Sequence, residues 1–172
     1  MKLGEKVPDF AAEAFEAGKI RKIKLSDYKG KWVVLFFYTK DTTGICQSEI
    51  GLFSDQRNQF ADMNAVVIGA STQDEQSHRE WFQRDFPKLD YPVIADPSHE
   101  VSKLFGVLRE DLGLAFRGTF IIDPKGVLRY QSVSDLPVGR SIAEVMRVLR
   151  ALQTGELCPV EWKPGEKTLG KA

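Results

Sequence analysis

An excess of charge of either sign is missing. The 24 Lys and Arg residues balance 24 Asp and Glu, so nothing steers the chain toward nucleic acid or an anionic membrane surface. Cysteine is scarce: two in 172 residues excludes a disulfide-stapled scaffold. Histidine is equally rare, and His78 and His99 lack the spacing to each other or to a cysteine that a zinc or haem site needs. No G-x-G-x-x-G or Walker pattern occurs, and there is no internal repeat or low-complexity block. The opening stretch, Met1 to Asp9, holds no apolar run of the signal-peptide kind, and no segment approaches a membrane span in length. The expectation is a cytoplasmic protein without metal or cofactor, whose two cysteines are catalytic or redox-active rather than structural.

What is present is a sizeable core, with 42% hydrophobic residues and 11 phenylalanines, enough for one domain of ordinary size. The chain is organised around Phe36 to Ile50, FFYTKDTTGICQSEI. The run Val33 to Tyr38 is apolar on both alternating faces, the mark of a strand inside a sheet. It stops at a polar turn, Thr39 to Gly44, where open α/β sheets bind ligands at the carboxyl edge of their strands. Thr42 and Thr43 are good helix caps, which puts Cys46 in a first helical turn. Free N–H groups and the helix dipole there favour an ionised thiol. A buried cysteine is often an inert core residue; the hydroxyl-rich neighbours of Cys46 favour a reactive one.

Elsewhere the pattern predicts a hairpin over Asp9 to Leu25 and a helical turn over Ser26 to Lys31. A helix is expected over Ser48 to Met63, a buried strand over Ala65 to Ala70, and a helix from Gln76 to Phe86 that ends at Pro87. Tyr91 to Ala95 reads as a strand, and Asp96-Pro97-Ser98 as the opening of a helix through Phe105. Gly118 to Ile122, Asp123 to Gly126 and Val127 to Tyr130 read as strand, tight turn, strand. Ser141 to Leu152 has helical spacing with Ser141 as its cap. This order implies an α/β fold of thioredoxin type, a central mixed sheet flanked by helices.

Several segments together resemble the peroxiredoxins. They are Thr43-x-x-Cys46 with Glu49 three residues on, Ser77-His78-Arg79-Glu80-Trp81, Arg109-Glu110-Asp111-Leu112-Gly113, and the strand Arg117-Gly118-Thr119-Phe120-Ile121-Ile122-Asp123. The tail Glu156-Leu157-Cys158-Pro159-Val160-Glu161-Trp162 is similar to the resolving-cysteine segment of the typical two-cysteine branch, and the match is collinear from about Val7 to Leu169. The resemblance implies a peroxidase domain over 1–154 and a C-terminal arm over 155–172. It also implies reduction of hydrogen peroxide and organic (alkyl) hydroperoxides by Cys46, with Thr43 holding the peroxide and Arg117 stabilising thiolate and leaving oxygen. Glu49 would orient Arg117, and Arg140 would complete the charge network. Cys158 would resolve the Cys46 sulfenic acid as an intersubunit disulfide. The implied partners are a second copy in a homodimer, a decameric ring built from such dimers, and thioredoxin or a flavoprotein disulfide reductase. The alternative readings are a holdase-type chaperone ring and a peroxide-sensing thiol relay.

The chain departs from the family inside the active-site loop. Thr39 replaces a proline that normally shields the cysteine, Gln47 replaces another, and Thr42-Thr43-Gly44 replaces an aromatic-bearing segment. Slower attack or greater over-oxidation of Cys46 is the expected consequence. The Tyr-Phe helix and the Gly-Gly-Leu-Gly insertion of sensitive members are not found in this sequence, which points the other way, toward resistance.

Overall fold

The computed structural model describes residues 1–172. The chain divides into two compact units, Met1–Arg140 and Ser141–Ala172.

The first unit is built on a seven-stranded sheet in the order β2-β1-β5-β4-β3-β8-β9. Strands β1 (Ala11–Glu16) and β2 (Lys19–Lys24) form the expected hairpin. Its tip, Ala17-Gly18, has positive φ at both residues, as a two-residue turn matching strand twist requires. A single 3-10 turn, Leu25–Tyr28, leads into β3 (Trp32–Phe37). That strand lies centrally, parallel to β4 (Ala65–Ser71) and antiparallel to β8 (Arg117–Ile122). β5 (Val93–Ala95) runs parallel to β4, and β9 (Leu128–Ser134) forms the edge beside β8. The mixed α/β sheet expected from the pattern is therefore present.

Both faces of β3 are buried, which explains its unbroken apolar sequence. Val33, Leu35 and Phe37 join Ile68, Phe105, Phe120 and Ile122 in one core layer. Phe36, on the other face, stacks on Phe53 with ring centroids 4.2 Å apart. Helix α1 (Gly44–Asp55) thus covers one face, while Phe105, at the end of α4 (Glu100–Leu104), covers the other. Fully burying aromatic rings of this size contributes about 1.5–3 kcal/mol each.

The helix expected over Ser48 to Met63 is two helices, α1 and α2 (Arg57–Asp62), broken at Gln56. α3 (Glu75–Asp85) is capped by Asp74, whose side chain accepts from the Ser77 N–H. Asp96 caps α4 by accepting from Val101 N and Ser102 N at 3.1 and 2.8 Å. A two-strand ladder, β6 (Leu108–Arg109) with β7 (Leu114–Ala115), was not expected.

In the second unit, α5 (Ile142–Thr154) starts at Ser141, whose hydroxyl accepts from Glu144 N, and ends on Gly155 in the left-handed conformation. The segment after it folds back on itself through Leu157 N to Gly170 O and Leu169 N to Leu157 O, both 2.8 Å. Trp162 donates from its indole to Glu166 O, and Arg147 donates to Trp162 O. The arm is irregular but hydrogen-bonded. No helix is long and apolar enough to cross a membrane.

Candidate active site

β3 delivers the chain to a loop, 38–43, and then to α1. Thr43 is the N-cap residue and Gly44 the first helical residue, so Cys46 occupies the first turn as expected. The Thr43 hydroxyl does not cap the helix; it donates back to Lys40 O at 3.0 Å. Thr42, between them, has φ of 64° in the left-handed region, an uncommon place for a β-branched residue.

The Cys46 side chain is fully buried, 0% exposed. Two side chains reach its sulfur: Arg117 Nη1 at 3.3 Å and Thr39 Oγ1 at 3.3 Å. Burial pushes the thiol up. Hydrogen bonds from the Lys40 backbone, Thr39 and Arg117 outweigh it and hold the thiol below its ordinary value.

Arg117 comes from the start of β8 and is 4% exposed. Its Nε donates to Leu136 O at 2.8 Å, and Nη1 also reaches Glu49 Oε2 at 3.0 Å. Nη2 keeps its two donors uncommitted to any protein acceptor. Glu49 lies one helical turn after Cys46 and is likewise 4% exposed. Its Oε1 accepts from Arg140 N and Arg140 Nε, each at 3.0 Å. Arg140 in turn donates to Gly118 O at 2.9 Å, Thr119 Oγ1 at 3.0 Å and Phe37 O, and lies over the Phe36 ring. Burial presses the Arg140 guanidinium below its ordinary value, against the pull of Glu49. Gly139 allows this approach, because a Cβ there would stand 3.3 Å from Ile45 Cγ2.

Five of the six residues singled out from the sequence, Cys46, Thr43, Glu49, Arg117 and Arg140, are thus gathered at one end of β3. Cys158 belongs to the second unit, just past α5, half-buried, with its sulfur 3.5 Å from Thr154 Oγ1. Both cysteines are free thiols. A cavity of about 440 Å³ opens at the other end of β3, among Lys6, Leu25, Tyr28, Val33 and Ile122, and holds none of these residues.

The structure places further residues at the site, beyond the six given roles above. Thr39, expected to serve poorly in place of proline, is 6% exposed and lies against the thiol. Behind the loop, Asp41 accepts from Tyr38 OH and Ser77 Oγ at 2.7 Å each and lies 2.8 Å from His78 Nδ1. His78 Nε2 faces Ile94 O at 3.0 Å and carries a proton, since a carbonyl only accepts. His78 is therefore a satisfied core histidine that ties the loop to α3 and β5. The signal for it was the Ser77-His78 pair, which carried part of the resemblance but had no assigned role.

Fold and site together define an α/β protein with a reactive thiol, a cysteine whose ionisation an arginine and a hydroxyl favour at the carboxyl edge of a central strand. Comparison with known proteins extends this. The AhpC/TSA family model matches residues 3–131. The chain is 47% identical to the fission yeast (Schizosaccharomyces pombe) peroxiredoxin tpx1, covering 98% of this chain and 93% of that one. It is 46% identical to a thioredoxin peroxidase of Fasciola hepatica, over 94% and 88% of the two chains. The structure of a reduced 2-Cys peroxiredoxin of Plasmodium vivax superposes with a TM-score of 0.92 at 28% identity, covering 97% of this chain and 92% of that one. The chain belongs to the AhpC/TSA family, among the two-cysteine peroxiredoxins.

Proposed function

We infer that the protein is a thiol-dependent peroxidase that reduces hydrogen peroxide and organic hydroperoxides, with Cys46 as the nucleophile. The observation that carries this is the 3.3 Å contact of Arg117 with a buried Cys46 sulfur, the arginine itself being held by Glu49. The thiolate attacks one peroxide oxygen. An S–O bond forms, the O–O bond breaks, and the departing oxide takes a proton to become water or alcohol, leaving a sulfenic acid. Arg117 Nη2, with two uncommitted donors, supports the charge developing on the departing oxygen. Thr43 has its own proton engaged by Lys40 O, so its oxygen is set to accept a hydrogen bond from the peroxide O–H. Glu49 and Arg140 position Arg117.

Cys158 of a partner subunit then attacks the sulfenic sulfur, releasing water and forming an intersubunit disulfide. A dithiol reductant returns both thiols; the thioredoxin peroxidase among the relatives supports thioredoxin, with a flavoprotein disulfide reductase as the alternative. A homodimer able to close into a decameric ring, working in the cytoplasm, completes the reading. Intact Cys46, Arg117 and Glu49 favour it over a chaperone or sensor that has lost turnover.

Non-reducing electrophoresis after one equivalent of hydrogen peroxide tests it on wild type, Cys46→Ser and Cys158→Ser. Wild type alone is expected to shift to a covalent dimer. A dimer in Cys46→Ser, or a wild-type Cys46 that stays reduced, overturns the mechanism.

A further inference from the structure

We propose that Thr39 is a catalytic residue, whose hydroxyl donates to the Cys46 thiolate and sets both how much thiolate exists and how reactive each thiolate is. The inference rests on the peroxidase reading of the same site. Thr39 lies two residues past the end of β3, and its neighbour Tyr38 is pinned to β4 through Tyr38 N to Ala70 O at 3.0 Å. The side chain is nearly buried, and the Cys46 sulfur at 3.3 Å is the one hydrogen-bond partner of its oxygen. Either atom is able to donate while the thiol is protonated. Once Cys46 ionises, the sulfur has no proton left and the hydroxyl must be the donor. Buried hydroxyls seek partners, and a charged acceptor gives the stronger bond.

The consequence differs from that of the arginine. A donor on the attacking atom stabilises the thiolate most before attack, when the charge is fully on sulfur. As the S–O bond forms, that charge drains toward the departing oxygen, where Arg117 is suited to receive it. Thr39 therefore increases the ionised fraction at the cost of nucleophilicity, because a more acidic thiol makes a weaker nucleophile with a Brønsted slope of about 0.4–0.5. A proline at this position has no hydroxyl and no N–H to give, so this chain has a donor that the family pattern lacks. The other charged or titratable groups around the sulfur are Arg117, Glu49, Arg140 and Tyr38, and none of them changes in the variants below.

The experiment is a pair of pH profiles on the full chain in a Cys158→Ser background, so that one thiol reports. Iodoacetamide alkylation measures the Cys46 ionisation without peroxide; stopped-flow reaction with hydrogen peroxide measures attack. Thr39→Val, close in shape but lacking the hydroxyl, is expected to move the ionisation up by about one pH unit. With the slope above, both rates fall by about threefold on the acidic limb and rise by about threefold on the alkaline plateau, so the profiles cross. Thr39→Ser, which keeps the hydroxyl, is expected to hold the wild-type profile. Superimposed Val and wild-type profiles, or a fall at every pH with the ionisation unmoved, overturn the proposal. So does a Ser variant that behaves as Val. Alkylation that follows the expected pattern while peroxide does not react would keep the donor role and sink the peroxidase reading.

Discussion

Replacing Glu49 with glutamine removes one negative charge and almost no volume. In the structure that carboxylate accepts from Arg117 Nη1, Arg140 N and Arg140 Nε, all at 3.0 Å. The side chains of both arginines are about as buried as Glu49 itself, 3% and 5% exposed. A glutamine oxygen in the Oε1 position still serves Arg140. Its NH2 group then faces Arg117 Nη1, donor against donor, and two buried cations share no carboxylate. Breaking a buried pair in this way costs about 3–5 kcal/mol. With a urea slope of about 2 kcal/mol/M, the unfolding midpoint falls by roughly 1.5–2.5 M. The measurement must be made on reduced protein at one concentration, because association adds to apparent stability. Arg117 also loses the group that orients it, and misplacement of a reacting group by about 1 Å lowers a rate on the order of 100-fold. Stopped-flow peroxide reaction is expected to fall by that order, while alkylation shows Cys46 at least as ionised as before, since a nearby negative charge has gone. A midpoint within about 0.3 M of wild type, or an unchanged peroxide rate, refutes the reasoning.

Arg117→Lys keeps the charge but not the fork that reaches Leu136 O, Glu49 and Cys46 at once; peroxide reaction is expected to slow about 10²–10³-fold, and a loss under threefold would contradict the role given to the guanidinium. Cys46 has its folded value lowered, so its ionisation contributes stability that is fully present above the unfolded value of about 8.5 and is lost as pH falls through the folded value. The stability difference between reduced wild type and Cys46→Ser should therefore grow as pH rises across that window, with a slope approaching about 1.4 kcal/mol for each pH unit; a flat difference denies the depressed thiol. Asp41→Asn disrupts the bonds from Tyr38, Ser77 and His78 and is expected to cost about 3 kcal/mol, with faster amide exchange over residues 39–46 as the local readout; unchanged exchange there would show that the loop is held by something else.

How far the sequence carried the reading depended on range. β3 was legible because both its faces are buried, and the β1–β2 hairpin because its turn chemistry is local. The break at Gln56 was not legible: no proline or glycine marks it, and the helical pattern runs straight through. The β6–β7 ladder is too short, at two residues a strand, to leave a period. In the site, Thr43, Cys46 and Glu49 share one loop and helix. Arg117 meets Cys46 from 71 residues away, and Arg140 meets Glu49 from 91; only the resemblance pointed to either arginine. Thr39 is undervalued when weighed as a proline substitute in shape alone. Its value here is chemical, and a hydroxyl 3.3 Å from a thiol is visible only once the loop is folded.

Thr42 has a bearing on timing. Its left-handed backbone costs a β-branched residue about 1–2 kcal/mol, and it sits between Asp41, clamped to His78, and the first turn of α1. A second thiol could reach Cys46, 0% exposed, only if that turn unwound. Unwinding would release the strain at Thr42, offset part of the energy of opening and raise the open population by about 5–30-fold over an unstrained loop. The closed site is in this sense a cocked one. On the proposed mechanism, the same few residues that shape it for attack on peroxide would also shorten its lifetime, and so favour the handover of the oxidised sulfur before a second peroxide arrives.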